Sequence, residues 1–501
     1  MLLVINLDLQ TMVYFSDFFD ISEDIIEDYG AFNISLINDL PLFIDPFLLF
    51  GSEKTEYQNL HSEILDYLVF LKEKSAEGIT SLAQVKTWYY FQEVRQNWLG
   101  YSMFGNGGSG LAKQFGEALS ANMHIVFSDL RKETITTSSH LEKAGLFSIG
   151  VGRDNISDFT CNLIKSYLLQ YSQDFAIKHL TDNQKKKITV NKVYFNYDLE
   201  VWMPKEFTLP YYDNDYVLLT PKDILTKDEN WINNHDLIGD FSSICKSIPN
   251  EVLRTQIQNY LNKRIPKKEN NKKPSQKEMS RAIYETIHQF PTIIDYYIKQ
   301  KEQNKEGAKR TSKVKVGEVE EVFIKNVQVL VQQLLTETDF YKISETDSHT
   351  AAIKRLEFLK HVIEDNDGYR LFYHNGQPIK READLQIIYR LTWFATGFDV
   401  NREVNNGRGP VDYAISKGSK DKTLVEFKLA SNSQLKKNLQ NQVAIYDKAN
   451  QTKGSIKVIL YFDTAEYLKV TGILKELKLD NNVNIILIDA GNDNKKSAST
   501  V

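Results

Sequence analysis

Leu60, Ile64, Leu65, Leu68 and Leu71 fall at helical spacing within a polar run. That spacing predicts an amphipathic helix over 56–78, with Gly78 placed to stop it. Ahead of it, short apolar runs alternate with acids, as in DFFDISEDIIEDYG and NDLPLFIDPFLLFG. Pro41 and Pro46 argue against one continuous helix there, because each lacks an amide hydrogen. HIVFSDL (124–130) reads as a strand between helix-like stretches at 111–123 and 160–178. Residues 1–250 are therefore expected to form an α/β or α+β domain. Helical periodicity dominates 251–370, a mainly helical middle region, and no repeat of fixed period is visible.

From about residue 381 the pattern alternates between the two periods. A helix (READLQIIYRLTWFAT) precedes three short strand-like runs (FDVNREV, PVDYAIS, TLVEFKLA) separated by NNGRG and KGSKDK. A helix (SQLKKNLQNQVAIYDKAN), a strand (SIKVILYFD), a helix (AEYLKVTGILKELK) and a strand (NVNIILIDA) follow. Residues 371–490 therefore read as a compact α/β domain, and 491–501 as a frayed tail. The fold class expected is multidomain, α/β and α+β.

Composition narrows the setting. The chain has 501 residues, 42% of them hydrophobic and 25% charged, with a formal net charge of −5. That length suits two to about four folded units, and the apolar fraction excludes a wholly disordered protein. Two cysteines, Cys161 and Cys245, cannot build a disulfide framework or a cysteine-rich zinc site, and such scarcity fits a reducing compartment. The start, MLLVINLDLQTMVYF, has no basic segment, and Asp8 interrupts its apolar run. No stretch reaches the roughly 18 apolar residues a spanning helix needs, so a soluble cytoplasmic protein without membrane contact is expected. Charge is uneven: from Arg254 to Lys315 there are 16 Lys/Arg against 6 Asp/Glu. That block reads as an exposed helix or linker, with a phosphate-attracting surface as the alternative.

The chemistry concentrates between residues 382 and 446. If TLVEFKLA is a strand, Leu424, Glu426 and Lys428 share one face and Val425, Phe427 and Leu429 the other. An acid and a base among apolar residues is an odd core strand. Asp412 lies in a similar apolar context on the preceding strand, and SKGSKDKT can reverse the chain, so antiparallel pairing would bring Asp412 beside Glu426. Two converging carboxylates invite a hard divalent cation, with the Phe427 carbonyl as a further oxygen donor. Lys428 beside it would orient a water nucleophile and stabilise charge on phosphorus. Those are the parts of a phosphodiester hydrolase.

Asp412 of Pro410-Val411-Asp412, followed after 13 residues by Glu426-Phe427-Lys428, resembles the signature of the PD-(D/E)XK nuclease superfamily. The resemblance covers roughly 380–490. It implies a restriction-endonuclease-like α/β core and a Mg²⁺-dependent endonuclease, with Mn²⁺ as a substitute cation and DNA expected ahead of RNA. Two flanking features agree with it. The helix ahead of the first strand carries Glu382, where the superfamily often places another acidic metal ligand; Asp384 is the alternative, since the two cannot both face the site. The helix after the lysine strand carries Gln442 and Tyr446, similar to the QxxxY motif of the RecB-like branch, in which these residues position substrate and metal site. The implied metal ligands are Glu382, Asp412, Glu426 and the Phe427 carbonyl, and the implied catalytic set is Asp412, Glu426, Lys428, Gln442 and Tyr446. By analogy, residues 1–250 would be a sensor or specificity module for a protein or phage-derived trigger in antiviral defence, and a double-strand cut would call for a homo-oligomer.

Other patterns carry less. Arg402, Asn405, Asn406, Gly407, Arg408 and Gly409 could contact phosphates or serve only the turn. Lys436 and Lys437 read as a solvated helix face. Gly105–Lys113 lacks the GK[ST] of a phosphate loop. In GVGRDNISD, Asp154, Ser157 or Asp158 reads as a helix cap. The nine histidines show no paired zinc-ligand spacing.

Overall fold

The computed structural model describes residues 13–78, 82–100, 109–147, 152–266, 274–343, 347–393, 399–402, 413–416, 421–446 and 454–493. Over these residues the chain is a mixed α/β protein. Among them no helix is long and apolar enough to cross a membrane.

Asp45 caps α1 (Pro46–Gly51), its Oδ1 accepting from the Phe47 amide at 3.1 Å, and Pro46 occupies the first turn, where no donor is missed. Helix α2 (Thr55–Glu77) buries all five residues of the expected stripe and ends at Gly78, whose φ of +86° a side chain would resist. The strand expected at 124–130 is instead the end of α3 (Ser109–Val126) and a following turn. Met123, Val126, Phe127 and Leu130 are buried there at helical spacing, and burial, not the local run of apolar types, decides the conformation. Helix α4 (Arg153–Leu163) begins earlier than 160, and Asn155, not its acidic neighbours, accepts from the Gly152 amide at the cap. Ser157 instead takes the Ile44 amide at 3.0 Å. Helix α5 (Lys165–His179) packs across a twisted hairpin, β1 (Lys185–Asn196) and β2 (Val201–Tyr212), with β3 (Asp215–Tyr216) at its edge.

Over its described residues the Lys-rich block is almost wholly helical, the exposed-helix side of the expectation, with helices at Glu251–Arg264, Gln276–Gln289 and Thr292–Gln303. Helix α6 (Lys305–Glu320) buries Ala308, Ser312, Val316 and Val319 and sends its lysines outward. Ser312 Oγ donates to the Leu225 carbonyl at 2.7 Å, tying this helix to the N-terminal region. Helices α7 (Asn326–Glu337) and α8 (Ser348–Asp365) lead to the C-terminal sheet.

That sheet follows the expected order: α9 (Glu382–Thr392), β4 (Asp399–Arg402), β5 (Tyr413–Ser416), β6 (Lys422–Leu429), α10 (Leu435–Tyr446), β7 (Gly454–Tyr461), α11 (Thr464–Glu476) and β8 (Ile485–Asp489). The spatial order is β8-β7-β6-β5-β4; β4, β5 and β6 pair antiparallel, and β7 and β8 continue parallel to β6. Val425, Phe427 and Leu429 face a core that runs continuously from Val13 to Ala490, with Tyr389 of α9 against Phe427 at 4.2 Å between ring centroids. On the other face Leu435, Leu439, Ile459, Val470 and Leu474 form a smaller cluster under α10 and α11. Ser348 clamps α8 to the sheet through Asp421 and Thr423, both at 2.8 Å.

One buried acid pair sets a pH dependence. Asp45 Oδ2 also accepts from the Trp231 amide at 2.7 Å, and Glu142 beside it is fully buried. Burial, then the Asp45 carboxylate, pushes Glu142 well above the usual carboxylate range, so Glu142 keeps its proton and donates it to Asp45. A carboxyl raised in the folded state binds its proton more tightly than the unfolded chain does. Stability is therefore greatest below the ordinary carboxylate range and falls as pH rises toward the Glu142 value. Urea unfolding of Glu142→Gln should lose that decline and exceed wild type at pH 8; a decline of equal size in both proteins would refute the shared proton.

Candidate active site

Strand β6 alternates as its sequence demands, and Glu426 and Lys428 point away from the core on which Phe427 rests. Glu426 nevertheless is only 4% exposed. In the parallel ladder its partner is Lys457 of β7, and Lys457 Nζ donates to Glu426 Oε2 at 2.5 Å, with the two side chains 6% and 5% exposed. A buried carboxylate retains its charge only with such a partner.

Two residues further along the same face, Lys428 Nζ reaches Glu382 Oε2 at 3.2 Å. Glu382 is the first residue of α9, where a carboxylate is favoured by the helix dipole. Its Oε1 accepts from Asn432 Nδ2 at 2.7 Å and from the Leu429 amide at 3.3 Å, so the helix acid is fastened to the end of the ExK strand. Asp384 is engaged elsewhere: Arg381 holds it with Nε at 3.1 Å and Nη2 at 3.0 Å. The other end of that guanidinium, Nη1, donates to Asp228, which also receives Lys315 at 3.1 Å. Burial alone would raise Asp228, but Arg381 and Lys315 outweigh it and hold its carboxyl below the usual range.

Asp412 lies outside the described residues, as do Asn405, Asn406, Gly407, Arg408 and Gly409. Its chain neighbour Tyr413 pairs with Val425, the residue before Glu426. Gln442 and Tyr446 fall within α10, and their side chains lie outside the description, as does that of Arg402 in β4. Phe427 sits between the acid and the lysine, its ring on the core side. Lys436 pairs with Glu476 at 2.5 Å on an exposed surface.

Among the described residues no group of three or more His, Cys, Asp or Glu side chains is arranged to hold a metal ion. The donors that are present, Glu382 and Glu426, are carboxylates, the chemistry a hard cation such as Mg²⁺ takes. Each now has an ammonium as counter-ion, so a cation would take over a position that a lysine fills.

Lys457, Asn432 and the Asp228–Arg381 link are new relative to the sequence reading. Lys457 left a signal, being the lone charge in the apolar run IKVILYF; lysine is seldom buried unless paired. The other two left none, because their partners are far away in the chain.

A family model described as a domain of unknown function (DUF8370) matches residues 20–233, and a second domain of unknown function (DUF8371) matches residues 348–464. The second span holds Glu382, Glu426, Lys428, Asn432 and Lys457, and the first holds Asp228. No curated protein and no solved structure matches the chain.

Proposed function

We propose that the C-terminal α/β region is a metal-dependent nuclease domain of restriction-endonuclease-like type that hydrolyses phosphodiester bonds, with DNA as the expected substrate. The contact between Glu382 of α9 and Lys428 of the ExK strand carries this reading, because it joins the helix acid to the signature lysine. The succession of one helix, three antiparallel strands, a helix and a strand parallel to the third supports it.

Glu382 and Glu426, with Asp412 and the Phe427 carbonyl, would hold Mg²⁺ or Mn²⁺. Once bound there, the cation would supply Lewis-acid activation of a phosphate oxygen and of water. Lys428 orients the attacking water, whose oxygen forms the new bond to phosphorus as the bond to the leaving sugar oxygen breaks. Gln442 and Tyr446 are assigned to positioning the phosphate and the lysine. Residues 1–250 would sense a protein or phage-derived trigger in the cytoplasm, and a homo-oligomer would supply the two sites of a double-strand cut.

A second reading has a specific observation behind it: Glu426 is already neutralised by Lys457, as in a nuclease-like domain that binds without cutting. Plasmid, linear duplex and RNA incubated with the full chain separate the two. Cleavage with Mg²⁺ or Mn²⁺, absent with EDTA and absent in Lys428→Ala, is the expected result. A mobility shift without cleavage in every metal would favour the binding module, and cleavage insensitive to EDTA would remove the metal-dependent assignment.

A further inference from the structure

We propose that the outward face of α6, carried by Lys305, Lys309, Arg310 and Lys313, binds the phosphate backbone of the nucleic acid that the C-terminal domain cuts. The inference rests on the nuclease reading and adds to it the surface that holds the substrate. It starts from an imbalance along the chain. The whole chain carries −5, while 254–315 holds 16 Lys/Arg against 6 Asp/Glu, a balance of +10, so the remainder carries −15. Such a protein repels a polyanion over most of its surface, and attraction has to be local.

Helix α6 fixes the end of the basic block on a rigid support. Residues 305–313 read KEGAKRTSK, four cations and one acid. Ala308, Ser312 and Val316 fasten the helix to the core, and Lys305, Arg310 and Lys313 are exposed. Glu306 is bonded to Lys309 at 2.8 Å and lies in the field of Lys305 and Arg310 as well, so four cations less one carboxylate leave this stretch at +3. From Lys305 to Lys313 the helix advances by about 12 Å. One strand of a duplex carries a phosphate about every 3.4 Å, so the four cations run alongside three or four phosphates. A membrane surface fits less well. An interfacial helix needs a free apolar side, whereas that side of α6 is spent on the core. The face also lies on an element tied to the site: Lys315, further along α6, meets Asp228, which holds Arg381 beside Glu382.

The test is fluorescence anisotropy of the full chain with a short labelled DNA duplex in EDTA, read across a range of salt. Lys305→Gln, Arg310→Gln and Lys313→Gln together should flatten the slope of log affinity against log salt by about 0.9 for each lost phosphate contact. The advantage of wild type then grows about 40-fold as salt falls from about 200 to about 50 mM. With Mg²⁺ present the same variant should cleave with a raised KM and little change in kcat. Glutamine is a good helix former, and if circular dichroism nevertheless shows a lost fold, Arg310→Gln alone is read for a change in slope of about 0.9. Lys178→Gln, Lys186→Gln and Lys205→Gln together, exposed in the N-terminal region, are the control, and an equal loss there would overturn the placement on α6. An unchanged slope in the α6 variant would overturn the face, while cleavage by wild type would keep the nuclease reading. Duplex binding that needs the face, without cleavage in any metal, would instead uphold the face and overturn the nuclease reading. Phosphatidylserine vesicles are expected not to compete with the duplex; vesicle binding that the α6 variant loses would make the occupant a membrane and overturn the proposal.

Discussion

Glu426→Gln should lose metal-dependent cleavage by a factor of at least about 10³ and also lose stability, and the two losses should separate when Lys457 is replaced as well. The activity term follows from chemistry: an amide is a poor ligand for a hard cation, and the activation the cation supplies is worth several kcal/mol, with about 1.4 kcal/mol per factor of ten. The stability term follows from burial, since the Glu426 and Lys457 side chains are 5% and 6% exposed. Removing one partner of a buried pair typically costs about 3–5 kcal/mol, whereas replacing both by uncharged groups is often near neutral. Glu426→Gln is therefore expected to unfold at lower urea than wild type, and Glu426→Gln with Lys457→Met to recover most of that loss. Cleavage should stay absent in both. Recovered cleavage in the double variant would mean that Glu426 is a structural acid and not a ligand. Equal urea midpoints for wild type and Glu426→Gln would mean that the pair is more hydrated than its burial indicates.

The succession of elements after residue 381 was legible because each strand is short and bounded by turn residues, while α9 and α11 keep the helical period. The hairpin of β1 and β2 was not. β1 carries four lysines and buries only Val190 and Val193, so no clean alternation marks it. β2 contains Pro204 and Pro210, which read against a strand; they are tolerated because β3 covers only Tyr211 and Tyr212, leaving β2 an open edge over most of its length. At 124–130 the error ran the other way, a run of apolar types concealing a helical burial pattern. In the site, strand periodicity placed Glu426 and Lys428 together on one face. The lysine that neutralises Glu426 comes from a parallel strand 31 residues later, a pairing that no local pattern encodes.

Arg381→Ala is expected to lower metal affinity and cleavage by about 10–100-fold, the usual cost of losing a residue that positions a ligand without touching the metal. Arg381 immediately precedes Glu382, and its guanidinium forks onto Asp384 one turn on while its other end holds Asp228. The first turn of α9 is thus tethered at once to itself and to the N-terminal region, across the span between the two matched families. The arginine and Asp228 side chains are 35% and 34% exposed, so solvent screens the link and its contribution to global stability should be near 1 kcal/mol or less. Because Asp228 is held below the usual carboxylate range, that contribution is fully present above the range and disappears only as pH falls through the depressed value. A positional role and a merely stabilising one then give different data. If Arg381 orients Glu382, the variant shows weaker Mn²⁺ binding and a lower kcat with little change in KM, at an unfolding midpoint close to wild type. Asp228→Asn should reproduce part of the effect, although that residue lies in the N-terminal region. An Arg381→Ala protein with wild-type Mn²⁺ affinity would show that Glu382 is set by Lys428 and Asn432 alone, and that the N-terminal region has no hold on the site through this contact.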